Sequence, residues 1–104
     1  LYAVVYRWRI RPELEDTFER AWHLGTLAIR RDLGGEGSCL HRSGPGEYFA
    51  YAYWRTRVEY ERNRAARMPY EDPIARELYT KALEGGELEV VLTGDVVDDL
   101  LLRV

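Results

Sequence analysis

A ferredoxin-like α+β sandwich is the fold class this sequence predicts, and three observations lead to it. Residues 2–10, 38–43, 47–55 and 87–97 read as strands. Two amphipathic helical stretches separate them, the second broken in two. The resulting order is β-α-β-β-α-β, the split βαβ arrangement, which gives a four-stranded antiparallel sheet with helices on one face.

The first strand, YAVVYRWRI, alternates cleanly. Tyr2, Val4, Tyr6, Trp8 and Ile10 share one face, and Ala3, Val5, Arg7 and Arg9 share the other. Pro12 stops the strand and suits a first helical turn. Glu13, Glu15 and Asp16 follow, where a helix dipole favours acid. Leu14, Phe18, Ala21, Trp22, Gly25, Ala28 and Ile29 recur at steps of three and four, which predicts a helix over about 13–31. Gly34, Gly35 and Gly37 end it. Gly44-Pro45-Gly46 joins the second and third strands as a hairpin.

The third strand, EYFAYAYWR, sets Tyr48, Ala50, Ala52 and Trp54 on one face and Phe49, Tyr51 and Tyr53 on the other. Residues 57–67 are polar and helix-prone, marked by Val58, Tyr60 and Ala65. Pro69 and Pro73 flank a break. Asp72-Pro73 then opens a further short helix with an N-cap and a first-turn proline. Its apolar stripe is Ile74, Ala75, Leu78, Tyr79 and Ala82, and Gly85-Gly86 closes it. In the last strand Leu88, Val90 and Leu92 fall on one face and Val91 on the other. Asp98 to Val104 reads as a tail.

Composition narrows the function classes. The 104 residues fit one domain, 1–104. A net charge of −3 argues against general nucleic-acid binding. The longest uncharged apolar run, Tyr48 to Trp54, is too short to span a membrane as a helix. No charged-then-apolar leader is visible, so a cytoplasmic location is expected. Cys39 is the single cysteine, which excludes an intrachain disulfide and a multi-cysteine metal site. No paired histidine spacing suits zinc, and no phosphate-binding glycine fingerprint or nucleophile elbow occurs. Neither metal nor cofactor is therefore expected.

Helices cover one face of such a sheet, yet both faces of the third strand are aromatic and apolar. An uncovered face of that kind is an interaction patch. The expectation is a homodimer, sheet against sheet.

The opening YAVVYRWRI, a proline and the helix ELEDTFERAW, together with the passage AYAYWRTRVEYE, give the chain a resemblance to the antibiotic-biosynthesis-monooxygenase-like family of dimeric α+β barrels. Trp54, Thr56 and Tyr60 fit that family's strand-to-helix passage. The resemblance spans nearly the whole chain in element order. It implies either a cofactor-independent oxygenase acting on a small polycyclic or quinol-type aromatic, or a non-catalytic dimeric barrel holding an apolar ligand. The haem-degrading branch fits poorly. Its strand asparagine falls near Tyr6, its helix histidine falls near Arg64, and the chain has no histidine beyond His41.

An oxygenase of this type needs aromatic walls, a proton acceptor or hydrogen-bond partner, and a donor near the substrate oxyanion. Candidate catalytic residues under the resemblance are His41, Trp54 and Asn63. Candidate substrate-binding residues are Tyr6, Trp8, Trp22, Tyr53 and Tyr60. Arg7 and Arg42 are further candidates to face an anion. Each has a structural alternative. The rings serve as core or interface, His41 as a strand-surface histidine, Asn63 as a solvated helix residue, and Arg7 as an ion-pair partner.

Overall fold

The computed structural model describes residues 1–101. The strands are β1 (Tyr2–Arg9), β2 (Gly37–Gly44), β3 (Glu47–Trp54) and β4 (Glu87–Asp95). They form one antiparallel sheet in the order β2-β3-β1-β4. The helices are α1 (Glu15–Leu33), α2 (Arg57–Ala65) and α3 (Pro73–Ala82), with a single 3-10 turn at Pro12–Leu14 leading into α1. This is the α+β sandwich that the alternation and helical stripes predict. Of the predicted tail, residues 102–104 lie outside the described residues. Ahead of that tail, the Val96 amide donates to the Leu1 carbonyl at 2.9 Å.

Local chemistry sets the boundaries. The Thr56 hydroxyl accepts from the Glu59 amide at 3.1 Å and caps α2. The Asp72 carboxylate accepts from the Ala75 amide at 3.0 Å and caps α3, with Pro73 in the first turn. At the hairpin, Gly46 has φ +72°, and a Cβ there would run into the Ile10 carbonyl oxygen. Ile10 donates its amide to the Gly46 carbonyl at 2.7 Å, so the tip lies against the end of β1. Glu15 closes the same corner. Its carboxylate accepts from the Gly46 amide at 3.0 Å and from Arg42 at 2.8 Å. These donors, the Gly46 amide first, hold the Glu15 carboxyl below its usual range.

The core lies between the sheet and the helices in two clusters. One gathers Trp8, Ile10, Phe18, Tyr48, Ala50 and Ala82. The other gathers Tyr2, Val4, Trp54 and Tyr60. Two apolar residues of the predicted helices, Val58 and Ile74, stand exposed instead.

One strand departs from the expected pattern. Pairing between β1 and β4 runs Tyr6↔Val90 and then Val5↔Leu92, so Val91 is an extra residue. The β-bulge turns Leu92 to the face away from the helices, opposite Val5. Leu92 therefore does not share a face with Leu88 and Val90, and it is 60% exposed.

Phe18 carries the first cluster. It is fully buried, with ring centroids of Tyr48 at 4.7 Å and Trp8 at 5.1 Å. Replacing Phe18 by Ala is expected to destabilise the fold by about 3–5 kcal/mol, measured as a lower midpoint in urea unfolding with an unchanged slope.

Candidate functional site

The two clusters leave a cavity between them. Its volume is about 290 Å³, in the range where small organic ligands bind. From the sheet it is bordered by Tyr6, Trp8, Ala52 and Trp54; from α1 by Trp22, Gly25 and Ile29; from α3 by Tyr79. The connection between α2 and α3 adds Met68 and Tyr70. Small residues open the space. Ala52 sits beside Trp54 on the strand, and Gly25 lets Tyr70 approach α1, since a Cβ at that position would lie 3.4 Å from the Tyr70 hydroxyl.

The polar groups around this space are phenols, indoles, guanidinium groups and the hydroxyls of Thr26 and Ser38. The Trp8 indole N–H donates to the Tyr79 hydroxyl at 2.7 Å. That hydroxyl keeps its own proton to donate elsewhere. Burial pushes the Tyr79 phenol up to about 12, even with the Trp8 donor pulling it down. Burial, followed by the neighbouring Tyr60 hydroxyl, pushes the Tyr6 phenol well above its ordinary value. Both phenols are neutral donors at physiological pH. Arg30, Arg67 and Arg76 also border the cavity, and no carboxylate or imidazole does so among the described residues.

The connection over residues 66–72 forms one wall and is tied at both ends. Arg67 and Met68 hold φ of +61° and +47°, two successive left-handed non-glycine residues. Strain of this kind persists only where surrounding bonds enforce it. Here the Met68 amide donates to the Asn63 carbonyl at 2.8 Å. Arg76 donates to the Met68 carbonyl at 2.5 Å and the Tyr70 carbonyl at 3.1 Å, and its guanidinium lies 4.2 Å from the Tyr70 ring centroid. At the far end, the Glu71 amide donates to Asp32 at 2.8 Å, and Arg31 donates to the Glu71 carbonyl at 2.8 Å.

The sequence-derived candidates separate into two groups. Tyr6, Trp8, Trp22 and Trp54 come together around the cavity. Tyr53 touches its rim, but its ring pairs with Tyr51 on the opposite face of the sheet. Tyr60 lies behind Trp54 in the second cluster, 6.1 Å between ring centroids. Asn63 is buried on α2, where its side-chain amide donates to the Glu59 carbonyl at 2.9 Å, away from the cavity. His41 stands on the open face of the sheet, stacked on Phe49 at 4.4 Å with Cys39 Sγ 3.8 Å away. Arg42 and Arg7 are engaged by Glu15 and Glu89. Sequence reasoning missed Met68, Tyr70 and the three arginines. Tyr79 was visible as part of a helical stripe, but not as a hydroxyl donor.

No protein-family model matches the chain, and no curated protein matches it. Solved structures do. An antibiotic biosynthesis monooxygenase matches with TM-score 0.63 and 15% identity, over 94% of this chain and 100% of that one. SnoaB from Streptomyces nogalater, a cofactor-independent oxygenase, matches with TM-score 0.61 and 17% identity, over 95% of each chain. Rv0793 from Mycobacterium tuberculosis matches with TM-score 0.63 and 16% identity, over 96% of this chain and 98% of that one. The chain has the fold of these proteins, as the sequence resemblance anticipates.

The tie between Asp32 and Glu71 gives the cavity wall a signature in acid. Arg31, followed by the Glu71 amide, lowers the Asp32 carboxyl to about 2. A carboxyl depressed on folding contributes stability above its unfolded value of about 3.9. That contribution is lost as pH falls through the folded value. The Glu71 amide proton shift is expected to titrate with a midpoint of about 2 by NMR, and to lose this titration in Asp32→Asn.

Proposed function

We propose that this protein is a cofactor-independent monooxygenase of a small, electron-rich aromatic such as an anthrone or quinol. The observation that carries this reading is the aromatic-walled cavity with the Tyr6 and Tyr79 hydroxyls at its border. The space is not filled by its tryptophans, so a flat ring fits between Trp8, Trp22 and Trp54. The fold shared with oxygenases supports the reading but does not carry it, because one fold hosts many activities.

The chemistry needs little from the protein. With an anthrone, a ring CH₂ becomes C=O. One atom of O₂ enters the substrate, the other leaves as water with both hydrogens, and the substrate supplies all four electrons. The protein must favour the deprotonated, electron-rich form of the substrate. A neutral Tyr79 hydroxyl, oriented by the Trp8 indole, donates to the substrate oxygen as it becomes an oxyanion. The guanidinium groups at the cavity add positive potential. The substrate proton passes to solvent, since no carboxylate or imidazole borders the cavity among the described residues. That same lack of a base favours the second reading, a barrel that holds an aromatic ligand without reacting.

We also propose that the open sheet face pairs with a second copy. Phe49, Val91 and Leu92 are exposed there beside Val5 and Tyr51. The helices leave this face bare, and a two-fold axis covers it with the same patch. The dimer is expected at twice the 12.2 kDa chain mass in sedimentation velocity, and Leu92→Glu is expected to shift it to monomer.

Oxygen uptake with anthrone and no added cofactor tests the activity. A saturable rate is expected, with kcat at least about tenfold lower in Tyr79→Phe at similar KM. A folded protein with no rate above the spontaneous background would leave the binding module as the function.

A further inference from the structure

Arg30, Arg67 and Arg76 reach one cavity from three different elements: the end of α1, the α2–α3 connection and the first turns of α3. No acid borders the same space among the described residues. The chain as a whole is acidic, with 18 Asp and Glu against 15 Lys and Arg, so this concentration runs against its average. The ion pairs found among the described residues use other arginines, such as Arg31 with Asp32, Arg42 with Glu15 and Arg57 with Glu61. None uses Arg30, Arg67 or Arg76.

Arg76 is also fixed in place. Two backbone carbonyls, of Met68 and Tyr70, hold its guanidinium over the Tyr70 ring. Carbonyls orient a guanidinium without neutralising it, so its formal charge remains available. Arg67 borders the same cavity on a backbone with φ +61°. Such geometry has a cost, and here it accompanies a cation with no ion pair among the described residues, at the exposed border of the cavity. Guanidinium forks match carboxylates in plane and charge better than ammonium groups do.

We infer that the ligand of this cavity is an aromatic carboxylate, its rings between the tryptophans and its carboxylate among Arg30, Arg67 and Arg76. The inference deepens the proposed function by naming the substrate class of that site, and it rests on the cavity being the ligand site. It does not depend on turnover.

Binding tests it without any reaction. Trp8, Trp22 and Trp54 border the cavity, so quenching of intrinsic fluorescence reports occupancy. The probes are anthracene-2-carboxylate and its methyl ester, titrated at low and at high salt. The carboxylate is expected to bind at least about tenfold more tightly than the ester at low salt, with the difference shrinking as salt screens the exposed guanidinium groups. Arg67→Asn removes the cation while keeping a residue that tolerates positive φ. It and Arg30→Gln are each expected to erode the carboxylate preference and leave ester affinity within about twofold. Equal affinity for acid and ester, or an unchanged preference in both variants, overturns the carboxylate inference and leaves the aromatic cavity standing. If neither probe binds, the ligand-site reading and this inference fall together.

Discussion

Rigid rings hold the helix layer off the sheet, and the rest of the molecule follows from that constraint. Phe18 packs among Trp8, Tyr48 and Tyr79 in one cluster, while Trp54 and Tyr60 pack with Tyr2 in the other. Fused and six-membered rings do not flatten to fill a gap as leucine or methionine side chains do. The space between the clusters therefore stays open. Tyr6 packs against both and spans the distance on the sheet side. Collapse of the cavity would need one of these ring contacts to break, and each is made from inside a regular strand or helix.

The polar design follows the same division. Exposed charges on the bare side of the sheet form a ladder, Arg9 reaching Glu47 and Glu87, and Arg7 reaching Glu89. Such pairs stabilise little individually, yet they neutralise that edge. On the helix side the carboxylates are spent at corners. Glu15 accepts from the hairpin and Glu19 accepts from the Tyr48 hydroxyl at 2.5 Å. Asp32 and Asp72 fix the connection before α3. Negative charge is thus consumed by structure, and the cavity is left with positive charge only.

The fold was legible because the first strand and the first helix carry clear periods, and glycines and prolines mark the breaks between the other elements. Tyr2 to Ile10 alternates without a break, and Phe18, Ala21, Gly25 and Ala28 step regularly along α1. The walls of the cavity were legible for the same reason, since Tyr6, Trp8 and Trp54 share the strand face that helices must cover. His41 was drawn toward the site by its chemistry alone, whereas strand parity places it on the opposite face. Arg67 and Met68 escaped notice because left-handed backbone at arginine and methionine has no sequence mark. Gly25 did carry one: a glycine within a helical stripe signals a close neighbour, which proves to be Tyr70.

The bulge at Val91 escaped notice too, because Leu88, Val90 and Leu92 read as unbroken alternation. It makes pairing register, as much as residue identity, a determinant of what each side of the sheet displays. Were Val91 instead paired opposite Val5 in unbroken alternation, Leu92 would turn under the helices, and its neighbour Thr93, which now accepts from the Tyr2 hydroxyl at 2.7 Å, would face outward. Two opposed surfaces would change their chemistry together with no amino acid replaced. A shift of pairing by one residue, more than a point substitution, is then the route by which one outer surface would be exchanged for another.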